Sequence, residues 1–130
     1  MNISKFTQKS VQAVQDLEKV AYEYGNQEVE QEHLLYALLT QEDSLILKLI
    51  EKMDINKEYF INVVKKALDA KVKVSGGDLR FGQYLNKSLV NAENEAKAMG
   101  DEYVSVEHLF LSLLTQPSPS MKKIFNEFGI

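Results

Sequence analysis

A stretch that occurs twice decides the fold: residues 25–41 read GNQEVEQEHLLYALLTQ, and residues 100–116 read GDEYVSVEHLFLSLLTQ. The two copies lie 75 residues apart and align without a gap, with nine of their 17 positions identical. Such a duplication predicts a domain made of two copies of one helical unit. Because two like units packed face to face leave a seam that can hold a ligand, the repeat favours a binding function.

Apolar and small residues recur at helical spacing along almost the whole chain. The first helix of each copy is followed by Gly25 or Gly100, since a glycine in the left-handed conformation commonly closes a helix. The second helix of each copy is apolar over a wide face, which is typical of a central buried helix. The third helix of each copy is predicted to begin at an N-cap residue, with Asp43 and Ser118 at equivalent positions.

A fourth helix is predicted only in the first copy, where Asn56 is a favourable N-cap before a further apolar stripe. The second copy reaches Ile130 before any such helix, so we expect the sequence to be truncated there. Without that helix, the apolar faces of Ile124, Phe125 and Phe128 are predicted to be exposed or paired with another molecule.

These patterns predict an all-α fold of seven or eight helices in two pseudo-twofold repeats of about four helices each. The second repeat is expected to lack its last helix. Residues 1–130 suit a single domain with one hydrophobic core. We expect repeat one at residues 1–70 and repeat two at residues 81–130. Residues 71–80 form a short linker with glycine hinges between them.

Composition and charge restrict the class of protein. The chain is 45% apolar and 26% charged, as in an ordinary soluble protein, and it has no cysteine for disulfide or thiolate chemistry. No apolar run approaches the roughly 20 residues of a membrane span, and the start lacks a signal peptide, so we expect a cytoplasmic protein without a membrane partner. The net charge is −4, and we expect no nucleic-acid partner, because the one basic cluster is interpreted as a solvated helix end. That cluster consists of Lys65, Lys66, Lys71 and Lys73.

Motifs for catalysis and cofactor binding are missing from the sequence. Gly76-Gly77 is not followed by the Gly-Lys-Ser/Thr of a phosphate-binding loop. Each histidine directly follows a glutamate, and adjacent residues of a helix do not face each other, so the spacing of a zinc-binding pair is absent. We expect no metal and no cofactor in this domain. A small hydrolase that uses Glu107 or Glu32 with a histidine stays open as an alternative of a different class.

The sequence resembles the Clp amino-terminal domain, which caps the ring-forming Clp ATPase chaperones and unfoldases. The resemblance rests on Phe6-Thr7, Gly25 and the run EHLLYALL at residues 32–39, with the pattern repeated after about 75 residues. It covers essentially the whole chain, and it is specific because the duplication and the Glu-His-Leu helix occur together.

Two segments are similar to the branch of this family found in ClpB disaggregases. They are VSGGD at residues 74–78 and GDEYVS at residues 100–105. The ClpC branch usually has a Gly-Arg-Gly linker and a Thr-Pro start to its second unit, and this chain has neither.

The resemblance implies a non-catalytic module that binds exposed apolar segments of unfolded or aggregated polypeptides. The full-length protein is then expected to be a homohexameric disaggregase that works with other chaperones and holds ATP and Mg in other domains. The alternative is the N-terminal domain of a Clp protease ATPase of the ClpC or ClpA type. Such a domain docks adaptor proteins or substrates marked by phosphoarginine.

The resemblance also implies a substrate groove with a polar rim and an apolar floor. The rim residues that it implies are Thr7, Asp101 and Glu107, and the floor residues are Leu85 and Leu89. In the ClpC branch, residues that match Thr7 and Glu32 help to hold phosphoarginine. The partner of Thr7 in the second unit is Gly82, so a symmetric pair of such sites is not expected.

Each of these residues also has a structural interpretation. Thr7 can satisfy a free backbone N–H in the first turn of its helix. Glu32 and Glu107 fall in first turns, where the helix dipole stabilises a carboxylate by roughly 0.3–1 kcal/mol. His33 and His108 are predicted to be packed, hydrogen-bonded positions that hold the two units together. The leucines belong to the core before they belong to any groove.

Overall fold

A computed structural model describes residues 3–130, and its seven α-helices confirm the predicted all-α fold. A 3₁₀ turn at Ile3–Lys5 precedes them. The helices are α1 (Gln8–Glu23), α2 (Gln31–Leu39), α3 (Leu45–Lys52), α4 (Lys57–Asp69), α5 (Gln83–Ala98), α6 (Val106–Thr115) and α7 (Pro119–Glu127). Two short strands, β1 (Glu28–Val29) and β2 (Arg80–Phe81), form a parallel pair that the sequence analysis did not predict.

The pseudo-twofold relation between the repeats extends to their backbone pairing. Val29 of β1 pairs with Phe81 of β2, and Phe6 pairs with Val104 in an isolated parallel bridge. The two pairs are equivalent under the offset of 75, because Phe6 corresponds to Phe81 and Val29 corresponds to Val104. Each repeat therefore binds the segment that leads into the first helix of the other repeat.

The four helices α1–α4 belong to the first repeat and α5–α7 to the second, so within residues 3–130 the second repeat has no counterpart of α4. The helices α2 and α6 are central. Every residue of α2 except Tyr36 is buried, and α2 contacts all the other α-helices of the first repeat as well as α5 and α6. Gly25 and Gly100 have positive φ angles of 67° and 73° directly after the ends of α1 and α5, as predicted. The boundaries of the linker at residues 71–80 stay a prediction.

The predicted N-cap of α3 is wrong by one residue. Ser44, not Asp43, caps α3: its hydroxyl accepts a hydrogen bond from the Leu47 N–H at 3.1 Å and donates one to the Leu38 carbonyl at 2.6 Å. Asp43 lies in the left-handed region with φ of 55°. The turn before α3 has two more residues than the turn before α7, so the repeat offset fails there. Ser118 caps α7 as predicted.

The predicted exposure of Ile124, Phe125 and Phe128 is also wrong. Ile124 and Phe125 are buried, and Phe128 is half-buried. The helix α4 packs against the end of this face, with the rings of Tyr59 and Phe60 centred 5.4 and 4.9 Å from that of Phe128 in edge-on contact. The sequence repeat aligns each helix with its counterpart, but it does not show which helix of one repeat packs on the other.

Candidate functional site

A groove with a volume of about 400 Å³ lies between the first turns of α1 and α6. Residues of both repeats line it, so it lies at the seam between them. The lining residues are Thr7, Gln8, Lys9, Gln41, Asp43, Leu45, Ser105, Val106 and Glu107.

The rim residue Thr7 is the N-cap of α1. Its Oγ1 accepts a hydrogen bond from the Ser10 N–H at 3.2 Å and lies 3.0 Å from the Ser10 hydroxyl. Its backbone N–H donates to the Val104 carbonyl at 2.9 Å, which ties α1 to the segment before α6. The structural interpretation of Thr7 therefore holds, and the same contacts place the half-buried side chain on the groove.

Glu107 is the second residue of α6, and its side chain is exposed. Within the described part of the chain, no cation lies within salt-bridge distance of its carboxylate. The other carboxylate on the groove belongs to Asp43, whose hydrogen bond to the Lys48 ammonium at 2.7 Å lowers its pKa. Glu107 is therefore the acidic group of the groove that is free to meet a ligand.

Two apolar side chains form the floor. Val106 is almost fully buried at the start of α6, whereas Leu45 at the start of α3 is 40% exposed. The turn that presents Leu45 is tied to α1 by two hydrogen bonds, from Lys9 Nζ to the Glu42 carbonyl at 2.7 Å and from Gln41 Nε2 to the Lys9 carbonyl at 2.8 Å. The groove therefore has walls held by polar contacts and an apolar floor open to solvent.

The histidines hold the segments that precede α2 and α6. His33 Nδ1 accepts from the Glu30 N–H and His108 Nδ1 from the Ser105 N–H, each at 2.9 Å. The proton of each neutral ring is therefore on Nε2. In repeat one, Nε2 of His33 donates to the Asn26 side-chain oxygen at 2.9 Å. Burial, with the nearby charge of Lys71, lowers the pKa of His33 to about 4.

Asp101 occupies the position equivalent to Asn26, and it accepts a hydrogen bond from His108 Nε2 at 2.8 Å. Its side chain is 48% exposed, but it does not line the groove. Asp101 is linked to the groove only indirectly. It bonds the imidazole of His108, and the backbone N–H of the groove residue Ser105 donates to the same imidazole. The structure thus brings Thr7 and Glu107 together on the groove and places Asp101 behind it.

The remaining predicted site residues lie in the interior. Glu32 is 2% exposed, and its carboxylate accepts from the Ser120 hydroxyl at 2.7 Å and pairs with Lys71 Nζ at 3.3 Å. Leu85 and Leu89 are buried core residues of α5. In this conformation a ligand reaches none of the three, and their contact with a substrate stays a prediction.

Sequence reasoning missed the residues that shape the groove floor. Leu45 lay in the predicted apolar stripe of α3, and only the packed structure shows that its first turn faces α1 and α6. Val106 did carry a signal, because the equivalent residue in repeat one is the polar Gln31. At this buried position, the difference between Val106 and Gln31 was more informative about the groove than the identical residues that surround it.

Residues 3–130 form neither a metal-binding cluster nor a membrane-spanning helix. No group of three or more His, Asp or Glu side chains comes together there in an arrangement that could hold a metal ion. None of the helices in this range is both long and apolar enough to cross a membrane.

Comparison with known proteins identifies the family of this fold. The family model of the Clp repeat (R) N-terminal domain matches residues 5–128. This chain belongs to the Clp N-terminal domain family. The resemblance on which the sequence analysis relied is therefore confirmed.

The curated relatives of this Clp N-terminal domain include ClpB chaperones. Chaperone protein ClpB of Nitratidesulfovibrio vulgaris is 39% identical over 136 residues, which span 100% of this chain and 16% of that protein. ClpB of Clostridium tetani is 40% identical over 135 residues, with the same coverage. The N-terminal domain of Hsp104 from Candida albicans has the same fold, with a TM-score of 0.85 at 22% identity over 97% of this chain and 83% of that one.

Proposed function

We propose that this domain recruits unfolded or aggregated polypeptides to a ClpB-type, ATP-driven disaggregase. Exposed apolar segments of the client bind in the groove between α1 and α6. The full-length protein is a cytoplasmic homohexamer that works with other chaperones and binds ATP and Mg in other domains, while this domain is neither catalytic nor cofactor-bound. The observation that supports the proposal is a groove with an apolar floor and a polar rim at the seam of the repeats.

The floor and the rim supply different parts of the recognition. Leu45, which is 40% exposed, offers apolar surface to any aliphatic or aromatic client side chain, which favours binding without sequence preference. Two helices also begin at the groove, and the first N–H groups of a helix have no carbonyl partner within it. Those of α1 and α6 can donate to the backbone carbonyls of an extended client, which are present in every sequence.

The size of the groove predicts weak and reversible binding. A client segment in it buries far less than the roughly 1,200 Å² of a stable protein interface. Affinity differences between related complexes lie mainly in the dissociation rate, so such contacts dissociate rapidly. Rapid release suits a module that must transfer its client to a motor.

The repeat supplies matched variants that test this proposal without damaging the fold. Thr7→Gly introduces the residue that caps α5 at Gly82, and Asp101→Asn introduces the residue found at Asn26. Glu107→Gln removes the free charge while keeping the shape of the side chain. Thr7→Gly thus removes one hydroxyl from the predicted rim, and the other two variants each remove one negative charge, while all three keep their helix starts.

We expect Thr7→Gly and Glu107→Gln to weaken the binding of fluorescein-labelled unfolded casein by about two- to tenfold, the effect of one lost hydrogen bond. Fluorescence anisotropy measures the affinity, and circular dichroism checks the helices. Asp101→Asn distinguishes a charge that contacts the client, which predicts weaker binding, from an acceptor that only holds His108. Lys65→Ala, on an exposed face of α4, is the control. Normal binding by both groove variants would rule the groove out.

The other two interpretations find less support in the geometry. A phosphoarginine site built from Thr7 and Glu32 requires the two side chains to meet, but Glu32 is buried against Lys71 and Ser120 while Thr7 lies beside Glu107. A hydrolase would need a histidine free to act as a base. Both ring nitrogens of each histidine are already hydrogen-bonded within the fold.

A further inference from the structure

The pseudo-twofold relation that builds one groove also defines a second position where a groove would lie. The offset of 75 carries Val106 to Gln31, Glu107 to Glu32 and Leu45 to Ser120. The backbone at the start of α5 has the same conformation as the backbone at the start of α1. Gly82 begins α5 with φ and ψ of −68° and 163°, and Thr7 begins α1 with −67° and 163°.

The second position is filled by the side chain of Gln31. This amide is 1% exposed and makes three hydrogen bonds. Its Nε2 donates to the Ser88 hydroxyl at 2.7 Å and to the Gln116 carbonyl at 3.0 Å, and its Oε1 accepts from the Ser118 N–H at 2.8 Å. Gln116 is the counterpart of the groove residue Gln41, and Ser118 caps α7 as Ser44 caps α3. The residues that would line a second groove therefore bind one another instead.

A second contact closes the rest of this position. Ser120, the counterpart of Leu45, donates its hydroxyl proton to the Glu32 carboxylate at 2.7 Å. Lys71 compensates the charge of that buried carboxylate at 3.3 Å. In the open groove, the equivalent pair Leu45 and Glu107 makes no such bond, and the Glu107 side chain is exposed whereas that of Glu32 is buried.

The first groove stays open because its residues cannot form this network. Val106 is shorter than Gln31 and has no polar atom in its side chain. Ala13 takes the place of Ser88, so the hydroxyl that anchors Gln31 is also missing there. The difference between the two halves of the seam is therefore encoded at a few positions, of which Gln31 is central.

We propose that Gln31 closes a latent second client groove and thereby limits this domain to one client segment. The inference rests on the proposed function of the first groove. It assigns to the region around Gln31, Glu32 and Ser120 the same class of ligand, an extended apolar polypeptide. The domain is thus monovalent although its fold is duplicated.

Stoichiometry tests the proposal directly. The variant Gln31→Val/Gly82→Thr/Ser120→Leu gives the second position the residues of the first. Added Cβ atoms at position 82 meet mainly the flexible Glu28 carboxylate, at 3.1 Å. Isothermal titration with a short apolar peptide from casein should show one site in the wild-type domain and two in the variant. Adding Glu107→Gln to the variant should weaken one of the two sites and leave the other unchanged.

A second measurement needs no client, and it uses the absence of cysteine from the chain. Glu107→Cys and Glu32→Cys place single thiols at equivalent positions. Iodoacetamide should label position 32 at least about tenfold more slowly than position 107, because labelling there awaits local opening. Introducing Gln31→Val should bring the two rates together.

The outcomes separate the two proposals. A wild-type domain that binds no peptide would refute the client groove, while the labelling rates would still report whether position 32 is closed. Two peptide sites in the wild type, or equal labelling of the two thiols, would overturn the role of Gln31. A helical triple variant with only one peptide site would overturn it as well.

Discussion

Acid should destabilise this domain through one buried histidine. Burial lowers the pKa of His33 from 6.5 to about 4, and the charge of Lys71 contributes. The ring is fully buried, and its two nitrogens are bonded to the Glu30 N–H and the Asn26 side chain. A second proton on the ring would break the bond from Glu30, because Nδ1 could no longer accept it.

The sign of the effect follows from the two pKa values. Between pH 6.5 and about 4, the unfolded chain takes up a proton at His33 and the folded domain does not. Stability therefore falls as the pH falls through this range. The difference corresponds to about 3 kcal/mol once the pH is below 4, and most of it is already lost at about pH 4.5.

The variant His33→Gln separates this effect from the titration of carboxylates. Glutamine at the third position of α2 can still accept from the Glu30 N–H, as in a capping box, but it does not titrate. Urea unfolding followed by circular dichroism gives the free energy of unfolding at each pH. We expect the wild type to lose about 2–3 kcal/mol more than the variant between about pH 7.5 and about 4.5. Parallel pH profiles for the two proteins would refute the reasoning.

Two further predictions concern stability and use the same urea assay. Ser44→Ala should cost about 1–2 kcal/mol, because it removes the N-cap of α3 and the bond to Leu38. Asp43→Ala should cost less, under about 1 kcal/mol, and mainly because alanine tolerates the left-handed φ of 55° less well than aspartate does; a larger effect at Asp43 than at Ser44 would restore Asp43 as the cap. Phe60→Ala should cost about 3–5 kcal/mol, since it removes a fully buried ring between α4 and α7, and the control Lys65→Ala on the same helix should change little. A loss below about 1 kcal/mol for Phe60→Ala would mean that this ring is not packed in the core as the structure places it.

Local signals predicted the helices well. The stripe of each helix and the glycines at 25 and 100 depend on the chain within a few residues, so the repeat could be read without knowing the packing. The N-cap at Asn56 is of the same kind. The error at Asp43 arose where a longer turn broke the repeat, and no local feature marks that length.

Contacts between the repeats could not be predicted in the same way. Two contacts join segments that are far apart in the sequence: the pairing of β1 with β2 and the position of α4 on α7. The sequence pattern of one segment does not show which other segment it contacts. For the groove, the family resemblance led to Thr7 and Glu107, which the structure brings together. The resemblance did not lead to Gln31, because the importance of that residue lies in its difference from Val106, its counterpart in the second repeat.

Each repeat binds the segment that leads into the first helix of the other repeat, and this exchange has a consequence for synthesis on the ribosome. Ser10, at the start of the first helix, donates its hydroxyl proton to the carbonyl of Val104, 94 residues later in the chain. The N-terminal half can therefore form its helices as it emerges, but it cannot complete its own seam. Closing such a long loop costs entropy that only the finished interface offsets. We therefore expect the seam, and with it the proposed client groove, to form only after residues 104–107 have left the exit tunnel.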